Sequence, residues 1–346
     1  MGNYLGMDVG SITTKLAVLS GEDQVLAKCY IRNSGRPIEA IQQGMEEILI
    51  QLGKSVSIDG VATTGSARHL AAYLVGADLI KNEITAHAMA VIDLLPEAKT
   101  IIEIGGQDSK VIVMRNGVVV DFAMNTVCAA GTGSFLDQQA GRLGISIEAF
   151  GDLALKADHP VRIAGRCTVF AETDMIHKQQ IGHSVEDILA GLCDSLVKNY
   201  LNNVCRGKEI LSPIVFQGGV AANRGIRRAL ERELEVPLII PEHFDVMGAI
   251  GAAKLVKKGK LSQTQFRGFD LSQKSCSTRG FECGECENQC EVIELLVDHQ
   301  VVACWGDLCE RYRQTKNGIA PACQSTYAAG RRGAQNGAKG QAPHHK

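Results

Sequence analysis

Apolar and polar positions along the chain follow two periods, one typical of strands and one typical of helices. Short apolar runs next to glycine, such as GVATT after Asp59 and PIVFQ before Gly218, predict buried strands. Apolar residues every three or four positions predict helices over 36–52, 82–95, 184–204 and 245–259, with two more beginning near Ala129 and Val169. Strands that alternate with helices predict an α/β fold.

One strand-turn-strand pattern occurs twice. DVGSITTKLAV from Asp8 aligns with EIGGQDSKVIV from Glu103, since both read acid, apolar residue, glycine, four residues, lysine and an apolar run. Each copy is followed by a short polar turn and another β-rich stretch. Two glycine turns also align by chance in unrelated chains, but the repeat favours two duplicated α/β domains that face each other across a nucleotide cleft.

The repeat and the cysteine distribution divide the chain into four parts. We expect a first domain over 1–98 and a second over 99–260, whose last helix, at about 245–258, packs back between the domains. Seven of the 12 cysteines lie between Cys276 and Cys323, which indicates a cysteine-rich module over 261–327. The remaining residues, 328–346, are rich in Gly and Ala and predict a disordered tail.

The charge and the N-terminal residues exclude several classes of protein. With 36 basic and 38 acidic residues the net charge is -2, so we expect neither a nucleic acid nor a membrane as partner. The first residues show no secretion signal and no run reaches transmembrane length, which predicts a cytoplasmic protein. Twelve cysteines in such a protein favour metal or redox chemistry over disulfides.

Glycine turns after the duplicated strands predict a phosphate site, because they present backbone N–H groups without side-chain obstruction. A third glycine turn, QGGVAANRG, suits the flat face of an adenosine. Asp8 is expected to hold Mg²⁺ through water, Gln107 to meet the terminal phosphate, and Asp108 to lie near the metal or the attacking water. The other candidate nucleotide contacts are Gly10, Ser11, Thr13, Thr14, Lys15, Gly105, Gly106, Gly131, Thr132, Gly133, Gly218, Gly219 and Asn223.

Several basic residues near these turns have two interpretations. Lys15 and Lys110 either reach phosphate or form salt bridges across the cleft. His87, His177 and His183 are acid–base candidates, but no Ser or Cys nucleophile signature accompanies them, which favours solvated or hydrogen-bonded histidines.

Four further motifs occur in a fixed order: NTVCAAGTGSFLDQQAGRLG, CTVFAETDMI, FQGGVAANRGI and FDVMGAIGAA. The phosphate turns resemble those of the actin, sugar kinase and heat-shock chaperone ATPase superfamily. The four motifs resemble, within it, the ATPase activator components of 2-hydroxyacyl-CoA dehydratases and the ATPase subunits of benzoyl-CoA reductases. The resemblance covers roughly Tyr4 to Lys258. It implies an actin-like ATPase fold with ATP and Mg²⁺ as cofactors.

Cys128 and Cys167 each precede a segment with a helical pattern. A helix N-terminus favours a thiolate and a bound anion, so the two are either cluster ligands or ordinary buried thiols. The resemblance implies the first role: two cysteines from each chain of a homodimer hold a bridging [4Fe–4S] cluster. It also implies that electrons pass from ferredoxin or flavodoxin to a partner iron–sulfur dehydratase or reductase, driven by ATP hydrolysis. Cys29, Cys193 and Cys205 match no such motif and are expected to be core or surface thiols.

The C-terminal cysteines predict a second metal site. CGECENQC supplies Cys283, Cys286 and Cys290, and Cys309 or Cys276 would complete a tetrahedral set. Zinc and a second cluster both fit this spacing.

Two other functions fit the same nucleotide-binding scaffold. One is a small-molecule kinase, which needs an aspartate poised over a substrate hydroxyl. The other is a nonenzymatic nucleotide-gated regulator, in which the cysteines are incidental.

Overall fold

The structure is a computed structural model that describes residues 2–53, 56–125, 129–165, 167–259, 261–309 and 312. Two five-stranded sheets with helices on their faces form its main part, which confirms the α/β class. None of the helices among these residues is long and apolar enough to cross a membrane.

The first sheet has the strand order β3-β2-β1-β4-β5. Its strands are β1 (Asn3–Val9), β2 (Thr13–Ser20), β3 (Val25–Arg32), β4 (Gly60–Thr64) and β5 (Leu79–Ile80). The first three strands are antiparallel, and β4 and β5 continue the sheet in parallel with β1. The helices between and after these strands are α1 (Pro37–Leu52), α2 (Arg68–Val75) and α3 (Glu83–Leu94), and we call this sheet with its helices and connecting segments the first domain.

The second sheet repeats this topology, with the order β10-β9-β6-β7-β8. Its strands are β6 (Thr100–Ile104), β7 (Ser109–Arg115), β8 (Val118–Met124), β9 (Ile214–Gln217) and β10 (Leu238–Ile239). Its helices are α4 (Gly133–Leu143), α5 (Ile147–Ala154), α6 (Thr168–Gln180), α7 (Val185–Asn203) and α8 (Arg224–Leu234), and we call this sheet with its helices and connecting segments the second domain. Because both sheets share strand order and strand directions, the duplication predicted from the repeat is confirmed.

Local signals in the sequence explain where several helices begin. The Asn82 side chain accepts a 2.8 Å hydrogen bond from the Thr85 N–H at the start of α3. Ser184 caps α7 in the same way through the Asp187 N–H, and α1 begins at Pro37, a residue suited to the first helical position. The predicted helices over 36–52, 82–95 and 184–204 are therefore confirmed as α1, α3 and α7.

The last long helix, α9 (Met247–Lys258), packs with α3 between the two sheets. The cluster there joins Ala17 and Leu19 of the first sheet to Ile101 and Val215 of the second. Close approach requires glycine in two places. A Cβ at Gly6 would collide with the Ala249 carbonyl, and one on α9 at Gly251 would collide with the Ala86 carbonyl of α3.

A three-stranded antiparallel sheet follows α9 and covers part of the first domain. It consists of β11 (Cys276–Glu282), β12 (Glu291–Val297) and β13 (Gln300–Trp305). Trp305 stacks on Tyr73 of α2 with ring centroids 5.5 Å apart. The Gln42 side chain of α1 donates to the carbonyls of Leu271 and Lys274. The segment predicted as a cysteine-rich module therefore contains a small sheet whose apolar residues join the first domain's core.

Candidate functional site

A polar cleft lies where the two duplicated glycine turns meet. Nine of the residues predicted for the nucleotide line it: Asp8, Gly10, Ser11, Thr13, Lys15, Gly105, Gly106, Gln107 and Asp108. Ile12, Ser66, Glu83, His87, Glu103 and Lys110 also line it. Two turns far apart in sequence thus form one polar site.

The two turns have the same backbone geometry. The Gly10 N–H donates to the Thr13 carbonyl and the Gly105 N–H to the Asp108 carbonyl, both at 2.9 Å. The Asn33 side chain holds the first turn from below by donating to the Gly10 carbonyl at 2.7 Å. A Cβ at Gly106 would come within 3.0 Å of Ile12, so the turns approach each other directly. Small residues at these positions keep the backbone close enough to clasp one phosphate chain.

Each turn carries a buried acid–lysine pair. Asp8 and Lys15 are cross-strand neighbours of β1 and β2, with a 3.0 Å contact between the carboxylate and the ammonium. Glu103 and Lys110 hold the equivalent positions on β6 and β7, at 2.9 Å. The repeat therefore places a carboxylate and a lysine at equivalent positions in both copies. Each lysine forms an ion pair with the acid of its own domain, and the ion pair of Lys15 does not cross the cleft.

Burial alone would raise the pKa of Asp8, but Lys15, His87 and Lys110 outweigh it and lower that pKa. Glu103 behaves alike, because Lys110 and His87 overcome the cost of burial and lower its pKa. Both carboxylates are consequently ionised at neutral pH.

Lys110 forms ion pairs with three carboxylates of the cleft. Its ammonium lies 2.9 Å from Glu103, 2.8 Å from Asp108 and 3.3 Å from Glu83, and its side chain is almost fully buried. Burial would lower the pKa of Lys110, but these three carboxylates raise it, so the ammonium keeps its charge. Because Glu83 belongs to α3 of the first domain, Lys110 also forms an ion pair across the cleft.

Two residues of α3 line the cleft: Glu83, which the sequence did not indicate, and His87, which it named only as an acid–base candidate. Burial, with Asp108, Glu103 and Asp8 nearby, raises the pKa of Glu83 to about 7 even though Lys110 opposes this shift. His87 is buried, shares a 2.9 Å hydrogen bond with Gln217 at the end of β9, and has a lowered pKa because of that burial. The interpretation of His87 as a hydrogen-bonded histidine is confirmed. His87 also lines the cleft.

The remaining predicted nucleotide contacts lie outside this cleft. The Thr14 hydroxyl is fully buried and donates to Asn33 at 2.7 Å, and Thr14 does not line the cleft. Gly218 has a φ of 91°, a conformation that favours glycine, and Asn223 caps α8 through the Ile226 N–H. The third turn, with Gly218, Gly219 and Asn223, therefore stays a prediction for the adenosine.

The GTG motif joins the second turn to α4. The Gly133 N–H donates to the Gly105 carbonyl and the Ser134 N–H to the Gly106 carbonyl, both at 2.8 Å. The Ser134 hydroxyl adds a 2.6 Å bond to Gly106. Gly131 and Thr132 lie just before this turn, and the Thr132 hydroxyl donates to the Ala129 carbonyl. Instead of lining the cleft, these residues anchor a helix to it.

The cysteines fall into three groups. Cys29, Cys193 and Cys205 are buried in the two domain cores. Burial raises the pKa of the Cys29 and Cys205 thiols to about 12, so they stay protonated. Cys167 is partly exposed at the N-cap of α6, and its side chain makes no capping hydrogen bond. Cys128 lies outside the described residues.

The C-terminal cysteines are on and around the small sheet. The Cys283 N–H donates to the Cys290 carbonyl at 2.8 Å, so these two residues face each other at the end of β11 and β12. Cys286 and Cys309 are exposed. Within the part of the chain that the structure describes, no three His, Cys, Asp or Glu side chains are arranged to hold a metal ion. A metal at Cys283, Cys286, Cys290 and Cys309 stays a prediction.

The cleft suits a divalent cation accompanied by phosphate. Four carboxylates (Asp8, Glu83, Glu103 and Asp108) face two ammonium groups, so negative charge is in excess. Mg²⁺ takes oxygen ligands and is commonly held by one or two carboxylates together with substrate phosphates, without a cage made of protein alone. Asp8 precedes the first turn, Asp108 ends the second, and both line the cleft, so they fit this role.

The chain is similar to proteins of known family and structure. The model of the BadF/BadG/BcrA/BcrD ATPase family matches residues 5–256. The chain is 34% identical over 251 residues to the 2-hydroxyisocaproyl-CoA dehydratase activator of Clostridioides difficile, which covers 72% of this chain and 92% of that protein. The crystal structure of component A of the Acidaminococcus fermentans (R)-2-hydroxyglutaryl-CoA dehydratase matches with a TM-score of 0.70 at 33% identity, over 75% of this chain and 99% of that one.

A second solved structure, the Clostridium difficile activator of the 2-hydroxyisocaproyl-CoA dehydratase with bound ADPNP, matches with a TM-score of 0.69 at 33% identity. It covers 74% of this chain and 95% of that one. The three-stranded sheet lies beyond the region that the family model matches. These findings confirm the resemblance drawn from the motifs, and the chain belongs to the BadF/BadG/BcrA/BcrD ATPase family.

Proposed function

We propose that the protein is a homodimeric, ATP-driven electron-transfer protein that activates an iron–sulfur dehydratase or reductase. The observation that carries this proposal is the direct hydrogen bonding of Gly133 and Ser134, in the first turn of α4, to the second phosphate turn. In sequence, the segment leading to α4 contains Cys128. A change at the phosphates is therefore passed to the helix that follows a candidate cluster ligand.

ATP binds with its phosphates between the two glycine turns. Support comes from their matched backbone geometry and from the ADPNP-bound relative. Asp8 and Asp108 would hold Mg²⁺ together with phosphate oxygens, and the ion would neutralise charge at the reacting phosphate. Lys15 keeps Asp8 ionised, and the ammonium groups of Lys15 and Lys110 hold Asp8 and Asp108 in place.

Hydrolysis requires an oriented water and an acceptor for its proton. Gln107 and Asp108 border the cleft at the second turn, where the terminal phosphate would lie, and Gln107 orients the water. Glu83 faces the same turn from α3, and its pKa of about 7 suits a carboxylate that accepts a proton at neutral pH. We assign the base role to the Glu83 carboxylate.

The helices next to the cysteines move together in this account. Arg142 of α4 forms a 2.8 Å ion pair with Glu172 of α6, and Gln138 of α4 contacts the same carboxylate at 3.4 Å. Cys167 begins α6. A displacement of α4 at the phosphate turn therefore pulls on α6 through Glu172. ATP can drive this change only if it binds one arrangement better than the other.

Cys128 and Cys167 of two chains would hold a [4Fe–4S] cluster, which supplies one-electron storage. Cys167 fits the role, because its partly exposed thiol stands at a helix N-terminus, where an anion is favoured. Ferredoxin or flavodoxin is the proposed donor, and a 2-hydroxyacyl-CoA dehydratase or a related reductase the proposed acceptor. The names of the relatives support the dehydratase.

Anaerobic purification followed by iron and sulfide analysis tests the proposal. The wild-type dimer should carry one [4Fe–4S] cluster per two chains. The double variant Cys128→Ala/Cys167→Ala should lose it and still bind ATP, whereas the control Cys286→Ala/Cys290→Ala should keep it. An iron-free dimer with full activity, or an unchanged iron content in the first variant, contradicts the proposal.

A further inference from the structure

The outer edge strand of the first sheet, β3, presents alternate side chains to two different surroundings. Cys29 and Ile31 point into the first domain's core and are buried. Lys28, Tyr30 and Arg32 belong to the opposite face and are at least partly exposed. None of the three was a candidate site residue from the sequence.

Lys28, Tyr30 and Arg32 all reach the second domain. Arg32 donates two hydrogen bonds to Asp137 of α4, at 3.0 and 3.2 Å. Lys28 contacts Asp245, in the segment between β10 and α9, at 2.9 Å. The Tyr30 hydroxyl lies against Gly219 so closely that a Cβ there would come within 2.7 Å of it.

These contacts run beside the cleft. Asn33, the residue after Arg32, holds the Gly10 carbonyl of the first phosphate turn. Asp137 lies one helical turn beyond Ser134, which binds the second phosphate turn. The Arg32–Asp137 pair therefore links the supports of both phosphate turns. The Lys15 ammonium also lies 5.9 Å from the centre of the Tyr30 ring, so the contacts of Lys28, Tyr30 and Arg32 with the second domain lie next to the first turn.

We propose that Lys28, Tyr30 and Arg32 form a latch that holds the two domains closed beside the nucleotide and thereby slows nucleotide exchange. The inference rests on the nucleotide site proposed above. Separating the domains along this edge must break both ion pairs and part Tyr30 from Gly219. Since Arg32 and Asp137 are partly exposed, their attraction is modest and is screened by salt.

The test measures the release of a fluorescent ADP analogue from the full-length dimer by stopped flow. Arg32→Ala and Asp137→Ala should each release the analogue about two- to fivefold faster, in line with the size of an exposed ion pair. The charge-swapped double variant Arg32→Asp/Asp137→Arg should release it more slowly than either of its single variants. Salt should accelerate release from the wild type more than from Arg32→Ala.

Arg232→Ala is the matched control, because Arg232 forms a similarly exposed ion pair with Asp194 inside the second domain. Release from this variant should equal that from the wild type. Unchanged release from Arg32→Ala and Asp137→Ala, with normal binding, overturns the latch and leaves the proposed function intact. If the wild type binds no adenine nucleotide, both proposals fail together.

Discussion

The Ser134 hydroxyl donates a 2.6 Å hydrogen bond to the carbonyl oxygen of Gly106. This contact joins the second phosphate turn to the first turn of α4. A single side chain thus lies between the place where a terminal phosphate would bind and the helix that follows Cys128. Whether the nucleotide controls the cysteine-bearing segment depends on contacts of this kind.

Ser134→Ala should reduce the coupling between ATP and electron delivery more than it reduces ATP binding. The lost hydrogen bond should lower the free energy of unfolding by about 1 kcal/mol, because a neutral hydrogen bond contributes about that much. Acceptor molecules reduced per ATP hydrolysed measure the coupling. Ser146→Ala is the control, since it removes the cap of α5 at a similar cost of about 1 kcal/mol. Equal coupling in both variants would contradict this role of Ser134.

Lys110→Met should destabilise the second domain strongly. It leaves the buried Glu103 carboxylate without its main partner, and breaking a buried pair in this way costs about 3–5 kcal/mol. Denaturant unfolding measures the loss. Arg224→Met, which removes an exposed ion pair with Asp152, should change the free energy of unfolding by no more than about 0.5 kcal/mol. Similar losses in the two variants would contradict the role of Lys110 as the partner that stabilises the buried Glu103 carboxylate.

Gly248→Ala should weaken Mg²⁺-dependent ATP binding. Gly248 lies on α9, and a Cβ there would come within 2.7 Å of the Asp8 carboxylate, which must then shift away from the metal position. Isothermal titration with Mg²⁺ and ADPNP measures the effect, and we expect a loss of at least about tenfold in affinity, equal to about 1.4 kcal/mol. Gly141→Ala on α4 has open space around it and should leave affinity unchanged. Normal affinity in Gly248→Ala would show that Asp8 is not needed in its observed position.

ATP hydrolysis should fall as the pH drops through about 7, because Glu83 is then protonated and cannot accept a proton. Glu83→Gln should be slow at all pH values and lack this transition, whereas Glu97→Gln should keep it. Stability follows the opposite course. Since the pKa of Glu83 is raised in the folded state, its contribution is present below about 4.5 and is lost as the pH rises through about 7. A wild-type rate that does not change between pH 6 and 8 would contradict the assignment of Glu83.

Much of the fold could be predicted from periodicity and from the repeat. The helix over Val185–Asn203 is long and amphipathic, and the acid–glycine–lysine pattern fixes both β1–β2 and β6–β7. The strands Leu79–Ile80 and Leu238–Ile239 are too short to leave a period in the sequence. In the C-terminal segment the cysteine spacing predicts a metal site and gives no sign of a sheet. The apolar residues around Leu295 and Trp305 nevertheless form a sheet that packs against the first domain.

In the site, too, residues that a local motif specifies could be predicted, and residues that only tertiary packing brings together could not. Turn residues such as Gly10 and Gly105 follow from local sequence, because only small residues let a backbone clasp phosphate. Glu83 lies on a helix with no motif of its own, and only the packing of α3 against the cleft reveals it. His87 was an acid–base candidate, but its place in the cleft also follows only from that packing. The Arg32–Asp137 pair joins residues from different domains, which no local pattern connects.

The most direct test of the central claim measures electron delivery by the anaerobic dimer. After reduction by ferredoxin or flavodoxin, the protein should reduce its dehydratase or reductase acceptor with ATP and Mg²⁺. It should not sustain turnover with ADPNP or without nucleotide, and Cys167→Ala should be inactive in every condition. Transfer at the same rate with and without nucleotide, or full transfer by Cys167→Ala, would contradict the account.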